Sequence, residues 1–515
     1  MSLFDTGNTS TLGDRLRWLV FLAAPLASAA LIGWGDLDPE RPAVTYTLAV
    51  AVLMALWWVT EIVPLAITSL LPIVLFPALG IMDGKDVSVT YFNHVIFLFI
   101  GGFLVALAIQ KWNLHRRIAL HILRVIGLTP GRILLGFMFA SAFLSMWISN
   151  TATAMLMVPI LMSILQQLEE LNGEEAVRHF AVGLLLSIAY GCSLGGIATL
   201  VGTPPNLSFV RILHIYFPEA PEVTFAGWFF YAFPISLVLF AVVWTYLYII
   251  FARGGRQFQQ LSRAQLAEAT RQLGPIRYEE KVLLVAFVAL ALLWFFRADI
   301  SLGFLTIPGW SNLFPYPKYF NDGTVAIFIA LVLFLIPSRE RPGEFLMDWE
   351  RAQDIPWEII LLFGGGFALA SGFKESGLSN WFGEQLIWLK DVHPLVLIAA
   401  ISFLVTFLTE VTSNTATVET LLPVLAGLAV SIEVNPLLFM LPATISGSLA
   451  FMLPVATPPN AIIFGTKRLQ IIQMARTGFV LNLIGIVVVA LLTYYLGVYV
   501  FGIDVNLFPE WAKSH

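Results

Sequence analysis

Charged residues are scarce in this sequence. Only 12% of its 515 residues are Asp, Glu, Lys or Arg and 58% are hydrophobic, whereas soluble domains carry about 25% charged residues. A lipid bilayer demands such a deficit because charge at its centre is costly. The single cysteine, Cys192, excludes an intrachain disulfide and a CxxC metal pair. The net charge of −5 without a basic stripe argues against a nucleic-acid partner. The composition predicts a polytopic membrane protein.

Long apolar runs predict the membrane crossings. A helix needs about 20 apolar residues to span the hydrocarbon core. We interpret eleven apolar runs as crossings, although several are short or interrupted. In chain order they cover 17–33, 43–59, 62–80, 95–110, 179–212, 226–251, 281–297, 323–337, 356–373, 437–465 and 477–501. The predicted fold is therefore all-α, with about eleven transmembrane helices.

Two further apolar stretches do not fit single crossings. Residues 132–165 would form one helix of about 51 Å, too long for a core of about 30 Å. The polar triplet Ser149-Asn150-Thr151 lies in its middle, and residues 394–430 carry Ser413-Asn414-Thr415 in the same place. The alternative is a tilted helix with hydroxyls bonded to the preceding turn, but Ser-Asn-Thr is a poor helix centre. We expect two re-entrant hairpins whose polar tips line a cavity or are buried in protein.

The distribution of basic residues predicts the orientation. With the N-terminus in the cytoplasm, 20 of the 28 Lys and Arg residues fall on inside segments, as the positive-inside rule requires. The longest polar segment, the predicted cytoplasmic loop 252–280, is then also inside. We expect a multi-pass protein of the cell (inner) membrane.

Three short motifs recur in the same order. Phe99-Ile-Gly-Gly-Phe103 matches Phe363-Gly-Gly-Gly-Phe367, and 363 − 99 = 264. The pentapeptide Ser-Asn-Thr-Ala-Thr begins at both Ser149 and Ser413, and 413 − 149 = 264. Thr-Pro-Pro-Asn begins at both Thr203 and Thr457, with an offset of 254. Three matches at nearly one offset indicate an internal duplication.

The number of crossings between the two hairpins predicts an inverted repeat. We count five, which is odd, so the hairpins enter from opposite faces of the membrane. Inverted repeats are typical of secondary transporters, in which the substrate binds near the midplane between the repeats. A duplication kept only for packing would not explain why the repeated residues are polar and break helices.

The repeated residues are suited to binding ions. A Ser-Asn-Thr tip offers hydroxyl and amide oxygens for a hard cation, and donors for an anion. The two prolines of Thr-Pro-Pro-Asn cannot continue a helix, so preceding carbonyls such as those of Gly202 and Ala456 are free to coordinate a cation. Ser145 and Thr409 lie one helical turn before Ser149 and Ser413, on the same face.

These motifs resemble the divalent anion:sodium symporter family, whose hallmark is the paired Ser-Asn-Thr motif. The similarity extends to Trp57-Trp-Val-Thr-Glu-Ile-Val-Pro-Leu65, to Thr68–Pro72 and to Ser187–Asn206, and covers nearly all of the chain from Trp57 to Gly465. It implies a homodimer in which a mobile transport domain moves against a scaffold, as an elevator. The implied Na+ ligands are Ser145, Ser149, Asn150 and Gly202 in one site and Thr409, Ser413, Asn414 and Ala456 in the other. The implied anion contacts are Asn150, Thr151, Thr203, Asn414, Thr415, Thr457 and Pro458.

The resemblance divides the chain between scaffold and transport parts. The scaffold comprises N-terminal helices 1–94, a helix and interfacial arm in each repeat (95–130 and 356–393), and helices 226–355. The transport part comprises residues 131–225 of repeat 1 and 394–515 of repeat 2, the latter including the last helix.

The sequence favours symport but leaves other functions open. Family members carry C4-dicarboxylates such as succinate, citrate or sulfate, and some exchange anions without net Na+ coupling. We expect Na+-coupled symport of a C4-dicarboxylate, because no Lys or Arg lies within about one helical turn of the motifs and a bound metal ion would supply the missing charge. The alternatives are a dicarboxylate or citrate exchanger, a H+-coupled carrier and a sulfate transporter; an anion channel and an intramembrane enzyme are rival classes.

Two other features have simpler interpretations. Gly191-Cys-Ser-Leu-Gly195 fits a nucleophile-elbow pattern, but it lies inside an apolar span and is also a small-xxx-small packing site. We therefore expect no catalysis. Intramembrane carboxylates are functional candidates by default, and they include Glu61, Glu410 and Glu419. Each is either an acid paired with a hydroxyl or base at a polar rim, or a protonatable coupling group.

Overall fold

A computed structural model describes residues 12–127, 129–253, 273–301, 306–505 and 507–513. Its helices are α1 (Leu12–Trp34), α2 (Pro42–Thr60), α3 (Leu65–Thr68), α4 (Leu71–Ala78), α5 (Gly84–Thr90), α6 (His94–Lys111), α7 (Leu114–Ile126), α8 (Pro130–Ser145), α9 (Asn150–Asn172), α10 (Glu174–Ala198), α11 (Pro204–Tyr216), α12 (Phe225–Leu247), α13 (Tyr278–Phe295), α14 (Asp322–Leu335), α15 (Trp349–Ala352), α16 (Trp357–Ser376), α17 (Leu378–Gln385), α18 (Pro394–Thr409), α19 (Asn414–Ser431), α20 (Leu437–Ser446), α21 (Pro458–Gly465) and α22 (Ile471–Phe501). Two short antiparallel strands, β1 (Ile300–Ser301) and β2 (Thr306–Ile307), pair in register Ile300 with Ile307. The predicted all-α fold is confirmed.

Helix occupies each of the eleven predicted crossings. Within the described residues, seven helices have the length and composition of a full membrane span, and six shorter apolar helices accompany them. The third crossing is interrupted between α3 and α4, where Pro72 stands in the first turn of α4 and cannot donate a hydrogen bond to continue α3. Residues 254–272, most of the predicted loop 252–280, lie outside the described residues.

Both predicted hairpins have the expected helix–break–helix form. Hairpin 1 consists of α8 and α9, and hairpin 2 consists of α18 and α19. In each, the second arm begins at the asparagine of the Ser-Asn-Thr motif, with the preceding serine as N-cap. The hydroxyl of Ser149 accepts a hydrogen bond from the Ala152 N–H at 3.2 Å. Serine is a preferred N-cap residue, and this bond stabilises the start of α9 as a separate helix.

The duplication is visible in the positions at which helices begin. The starts of α7, α8 and α9 precede those of α17, α18 and α19 by the same offset that separates the two Ser-Asn-Thr motifs. The starts of α11 and α21 are separated by the offset of the Thr-Pro-Pro-Asn motifs. The junctions before α7 and α17 also share a left-handed backbone, at Asn113 (φ 59°) and Gly377 (φ 80°). Asparagine and glycine are the residues that adopt this conformation most readily. The duplication is therefore present in the helical structure as well as in the amino-acid sequence.

The motif Gly191–Gly195 serves close packing, as predicted. It lies in the C-terminal third of α10, where all residues are buried. A β-carbon on Gly191 would lie 2.6 Å from the Met138 carbonyl oxygen, and one on Gly195 would overlap the backbone of Ala142. α8 thus approaches α10 more closely than any larger residue would permit, which fixes hairpin 1 against the helix that carries the first break.

Candidate functional site

The tip of hairpin 1 joins two of the predicted cation ligands. The hydroxyl of Ser145, the last residue of α8, donates to Oδ1 of Asn150, the first residue of α9. Ser145 is fully buried and Asn150 is half-buried. The bond spans the non-helical tip and holds the asparagine oxygen in place. Ser149 lies next to this pair as the N-cap of α9.

The tip of hairpin 2 repeats the same bond. The Thr409 hydroxyl lies 2.6 Å from Asn414 Oδ1 and 3.0 Å from the Gly447 carbonyl oxygen. Its single proton can be donated to one of these oxygens at a time. Ser413 caps α19 without a side-chain hydrogen bond, which leaves its hydroxyl available, unlike that of Ser149. Residue types differ between the repeats, but the hydroxyl–asparagine geometry is retained.

The break between α10 and α11 brings a backbone carbonyl to hairpin 1. A β-carbon built on Gly196 would lie 2.8 Å from Asn150 Oδ1 and 3.2 Å from the Gly202 carbonyl oxygen. Both predicted oxygen ligands therefore face one point, and the glycine keeps that point free of side-chain atoms. Both are oxygen atoms, the ligand type that hard cations take.

A duplicated asparagine clamp shapes both breaks. Asn206 Nδ2 donates to the carbonyl oxygens of Gly196 (3.1 Å) and Thr199 (2.7 Å). Asn460, its counterpart in the second repeat, donates to those of Ala450 and Leu453, both at 3.0 Å, and these acceptors occupy the equivalent positions of that repeat. Both asparagines belong to the repeated Thr-Pro-Pro-Asn motif, but no role was predicted for them from the sequence. They hold the chain that precedes each Thr-Pro-Pro turn.

The remaining predicted anion contacts lie at helix starts. Thr203 and Thr457 are the N-cap residues of α11 and α21, and the Thr457 hydroxyl is buried without a hydrogen-bond partner. Pro458 is exposed and Thr415 is buried, whereas Thr151 is half-buried. The starts of α9 and α19 present N–H groups and a positive dipole end, which favour an anion. α11 and α21 each begin with two prolines, which have no N–H group. Ala456, the predicted carbonyl ligand of the second site, is buried just before Thr457.

A small crevice adjoins the tip of hairpin 1. It lies between α6 and the tip, and its lining residues are Phe99, Gly102, Phe103, Ala106, Trp147, Ser149 and Val201. The first Phe-x-Gly-Gly-Phe motif therefore lines the space beside a predicted cation ligand. Its counterpart in α16 is packed against side chains, since a β-carbon on Gly364 would overlap Tyr91 and one on Gly366 would overlap Glu419.

Glu410 is buried among amide donors. It is 2% exposed and accepts hydrogen bonds from the backbone N–H groups of Phe451 (2.7 Å), Met452 (2.9 Å) and Leu453 (3.0 Å). The Asn482 side chain in α22 donates to it at 2.6 Å. It is paired with amide donors, not with a hydroxyl or base, and it fixes the non-helical segment between α20 and α21.

Two bonds connect the repeats near the site, and sequence reasoning missed both. The Tyr190 hydroxyl in α10 donates to the Phe451 carbonyl oxygen at 2.8 Å. The Ser208 hydroxyl in α11 donates to Glu419 Oε1 at 2.8 Å, so Glu419 is paired with a hydroxyl, one of the two predicted interpretations. Tyr190 stood in a segment that resembles the family, but nothing in the sequence indicated its distant partner in the second repeat.

We expect Glu410→Ala to lower the free energy of unfolding by about 3–5 kcal/mol, because it leaves buried amide donors without an acceptor. Thermal or denaturant unfolding of the purified protein in detergent measures this. Glu410→Gln, which keeps one acceptor oxygen, is the matched control and should lose less. If Glu410→Ala unfolds as the parent protein does, the carboxylate does not hold this segment.

Comparisons with known proteins find a family model and similar transporters over most of the chain. The family model described as the sodium:sulfate symporter transmembrane region matches residues 18–503. The sodium-dependent dicarboxylate transporter SdcS of Staphylococcus saprophyticus is 45% identical over 470 residues, which is 90% of this chain and 88% of that protein. SdcS of Staphylococcus aureus strain MRSA252 is 43% identical over 466 residues, with 90% and 87% covered.

Two solved structures share the fold at low identity. MtrF of Neisseria gonorrhoeae, an antimetabolite efflux pump, has a TM-score of 0.52 and 13% identity, with 96% of each chain covered. The YdaH transporter of Alcanivorax borkumensis has a TM-score of 0.51 and 14% identity over 79% of this chain and 85% of that one. The family match over residues 18–503 and the 45% identity to SdcS over 90% of the chain show that the protein belongs to the sodium:sulfate symporter family of membrane transporters.

Proposed function

We propose that this protein carries a C4-dicarboxylate such as succinate across the membrane together with Na+. The observation that carries the proposal is the convergence of Asn150 Oδ1 and the Gly202 carbonyl oxygen on the open side of Gly196. It is supported by the repeat of the hydroxyl–asparagine bond at Thr409 and Asn414. The SdcS relatives, at 43–45% identity, are named as sodium-dependent dicarboxylate transporters.

In the proposed mechanism the two repeats supply equivalent halves of one site. One Na+ binds to Ser145, Ser149, Asn150 and the Gly202 carbonyl, and another to Thr409, Ser413, Asn414 and the Ala456 carbonyl. The anion binds between the tips, at Asn150, Thr151, Thr203, Asn414, Thr415, Thr457 and Pro458. The Na+ ions neutralise the dianion, while helix N-termini add partial positive charge.

We further propose that the hairpins, the broken helices and the last helix move together against the other helices. α6 and α16 belong to the stationary part, and the crevice between α6 and hairpin 1 lies along the boundary between the two parts. A homodimer would anchor the stationary part, and the N-terminus would lie in the cytoplasm. No enzymatic activity is proposed.

Uptake into proteoliposomes tests the function. Succinate, citrate and sulfate are each supplied with an inward Na+ gradient, with choline in place of Na+, and with an inward H+ gradient alone. We expect Na+-dependent, saturable succinate uptake. Uptake that needs internal dicarboxylate and ignores Na+ would identify an exchanger, dependence on H+ alone a proton-coupled carrier, and preference for sulfate a sulfate transporter. Unsaturable flux without counterflow would identify a channel.

The inverted repeat predicts that the two tips are reached from opposite faces. Thr153 and Thr417 lie one turn into α9 and α19 and are 1% and 4% exposed. We expect an impermeant thiol reagent to label Thr153→Cys from one face and Thr417→Cys from the other, each in a Cys192→Ser background. The parent Cys192→Ser protein is the unlabelled control, and conditions that trap one conformation are required because movement exposes each tip in turn. Labelling of both from a single face under all conditions contradicts the inversion.

A further inference from the structure

Glu419 is a fully buried carboxyl group that the proposed mechanism does not use. It lies on α19, five residues after Asn414, with 0% of its surface exposed. Ser208 donates to its Oε1 at 2.8 Å, and its Oε2 is buried without any hydrogen-bond partner. Burying a charged carboxylate with one hydrogen bond is costly, because most of its hydration is not replaced.

No cation compensates this carboxyl group among the described residues. The helices packed against α19 include α2, α11, α16, α17, α18 and α20. The charged or titratable side chains on α11, α16 and α17 include Arg211, His214, Glu358, Lys374, Glu375 and Glu384, and Glu419 makes its one hydrogen bond to none of them. Lys374 donates instead to the Ile215 carbonyl oxygen at 2.7 Å, and it lies eight residues, about 12 Å, along α16 from Gly366.

The tyrosines near Glu419 are also engaged elsewhere. The Tyr91 hydroxyl donates to the Ser69 carbonyl oxygen at 2.5 Å, and the Tyr216 hydroxyl to that of Ala370 at 3.1 Å. Tyr46, on α2, makes no hydrogen bond to Glu419. A proton on Oε2 would remove the charge that nothing else among the described residues balances.

The carboxyl group occupies the space beside Gly366, at the boundary between the proposed transport and scaffold parts. Gly366 on α16 has no β-carbon, and one added there would overlap the Glu419 carboxyl group. The equivalent glycine of the first repeat, Gly102 in the first Phe-x-Gly-Gly-Phe motif, lines the crevice beside Ser149 instead. The boundary is therefore filled by a side chain at Gly366 and lined by a crevice at Gly102. We call the contact of Glu419 with Gly366 the seal.

We propose that Glu419 is a proton-binding site that is occupied while the seal is closed and released when the seal opens. Opening exposes the acid to water, where it ionises to a carboxylate and gives its proton to solvent. One proton leaves per opened protomer, so the opening equilibrium shifts toward the open form by a factor that approaches ten for each pH unit. The proposal rests on the movement suggested under the proposed function, and it makes pH a regulator of that movement.

Thiol labelling at the seal tests this without substrate or Na+. Leu422 is fully buried one turn after Glu419, so Leu422→Cys in a Cys192→Ser background reacts only when the boundary opens. The same cysteine is placed in a Glu419→Gln chain, because glutamine resembles the neutral acid and cannot ionise. Labelling rates of the full-length protein in proteoliposomes are compared between about pH 6 and about pH 8.5.

The measured quantity is the labelling rate of the chain that retains Glu419, divided by the rate of the Glu419→Gln chain at the same pH. We expect this ratio to rise up to about tenfold per pH unit. The ratio cancels the pH dependence of the thiol itself. Glu375→Gln, at an exposed carboxyl on α16, is the matched control and should leave the pH dependence unchanged. A ratio that stays constant with pH overturns the proposal, whether or not dicarboxylate uptake is Na+-coupled.

A second variant keeps the proposal testable if Glu419→Gln does not fold. Gly366→Ala places a methyl group where the carboxyl group lies, so the seal is displaced at every pH. With rates normalised to a free thiol, we expect fast labelling of Leu422→Cys that no longer varies with pH. Retention of the original pH dependence in Gly366→Ala would contradict the role of this contact.

Discussion

Asn150→Ala and Asn414→Ala should each reduce succinate uptake by more than about 100-fold while the protein remains folded. Each asparagine supplies the oxygen that a neighbouring hydroxyl holds in place, from Ser145 in one repeat and from Thr409 at 2.6 Å in the other. Loss of residues that only orient metal ligands costs 10–100-fold in affinity or activity, so loss of a ligand itself should cost at least as much. Both losses should be large, because each repeat supplies half of one site.

The measurement is initial uptake into proteoliposomes, normalised to protein that elutes as a single species in size-exclusion chromatography. Asn172→Ala is the matched control: Asn172 ends α9, at the opposite end of the helix that Asn150 begins. It should transport as the parent does. Parental uptake by a folded Asn150→Ala or Asn414→Ala protein would remove these residues from the site.

The helices and their breaks could be predicted because their causes are local. Apolar runs of membrane-spanning length and the polar triplets at Ser149 and Ser413 marked α8, α9, α18 and α19 before any contact was known. Proline chemistry predicted a helix break at each Thr-Pro-Pro-Asn motif, and α11 and α21 begin at the first proline of each motif. Each local signal was weak alone, but its recurrence in the second repeat supported the prediction.

The contacts that build the site could not be predicted, because they join distant segments. Gly196 faces Asn150 only because α10 packs on hairpin 1, which the small residues of α10 permit. Glu410 binds a segment 41 to 43 residues later, and Glu419 meets Ser208 across 211 residues. Periodicity and motif spacing carry no information about which polar groups meet after such long separations.

Na+ and the dicarboxylate should bind with positive coupling. Several basic side chains are already paired with acids elsewhere: Lys111 with Asp348 and Arg297 with Asp322, each at 2.5 Å. Among the described residues, no hydrogen bond or ion pair brings a Lys or Arg side chain to Asn150 or Asn414. A buried dianion without compensating charge would cost several kcal/mol. Helix N-termini contribute roughly half a charge each, which is too little alone.

Two Na+ ions, one per repeat, would supply the missing charge. Coupling between linked sites is typically about 1–3 kcal/mol, so raising Na+ should tighten the apparent Kd of succinate by roughly 5–150-fold. The linkage is reciprocal, and saturating succinate should tighten Na+ binding by the same factor.

Calorimetric titration of the purified protein with succinate, in Na+ and in choline at equal ionic strength, measures the coupling directly. Equal ionic strength matters because screening alone changes weak electrostatic interactions. The Asn150→Ala protein should retain coupling through the second repeat only, so its Na+ dependence should become shallower. A Kd that is the same in Na+ and choline would contradict the hypothesis, because the dianion would then be bound without Na+, as in the exchanger alternative. A basic side chain would have to enter the site in another conformation to balance its charge.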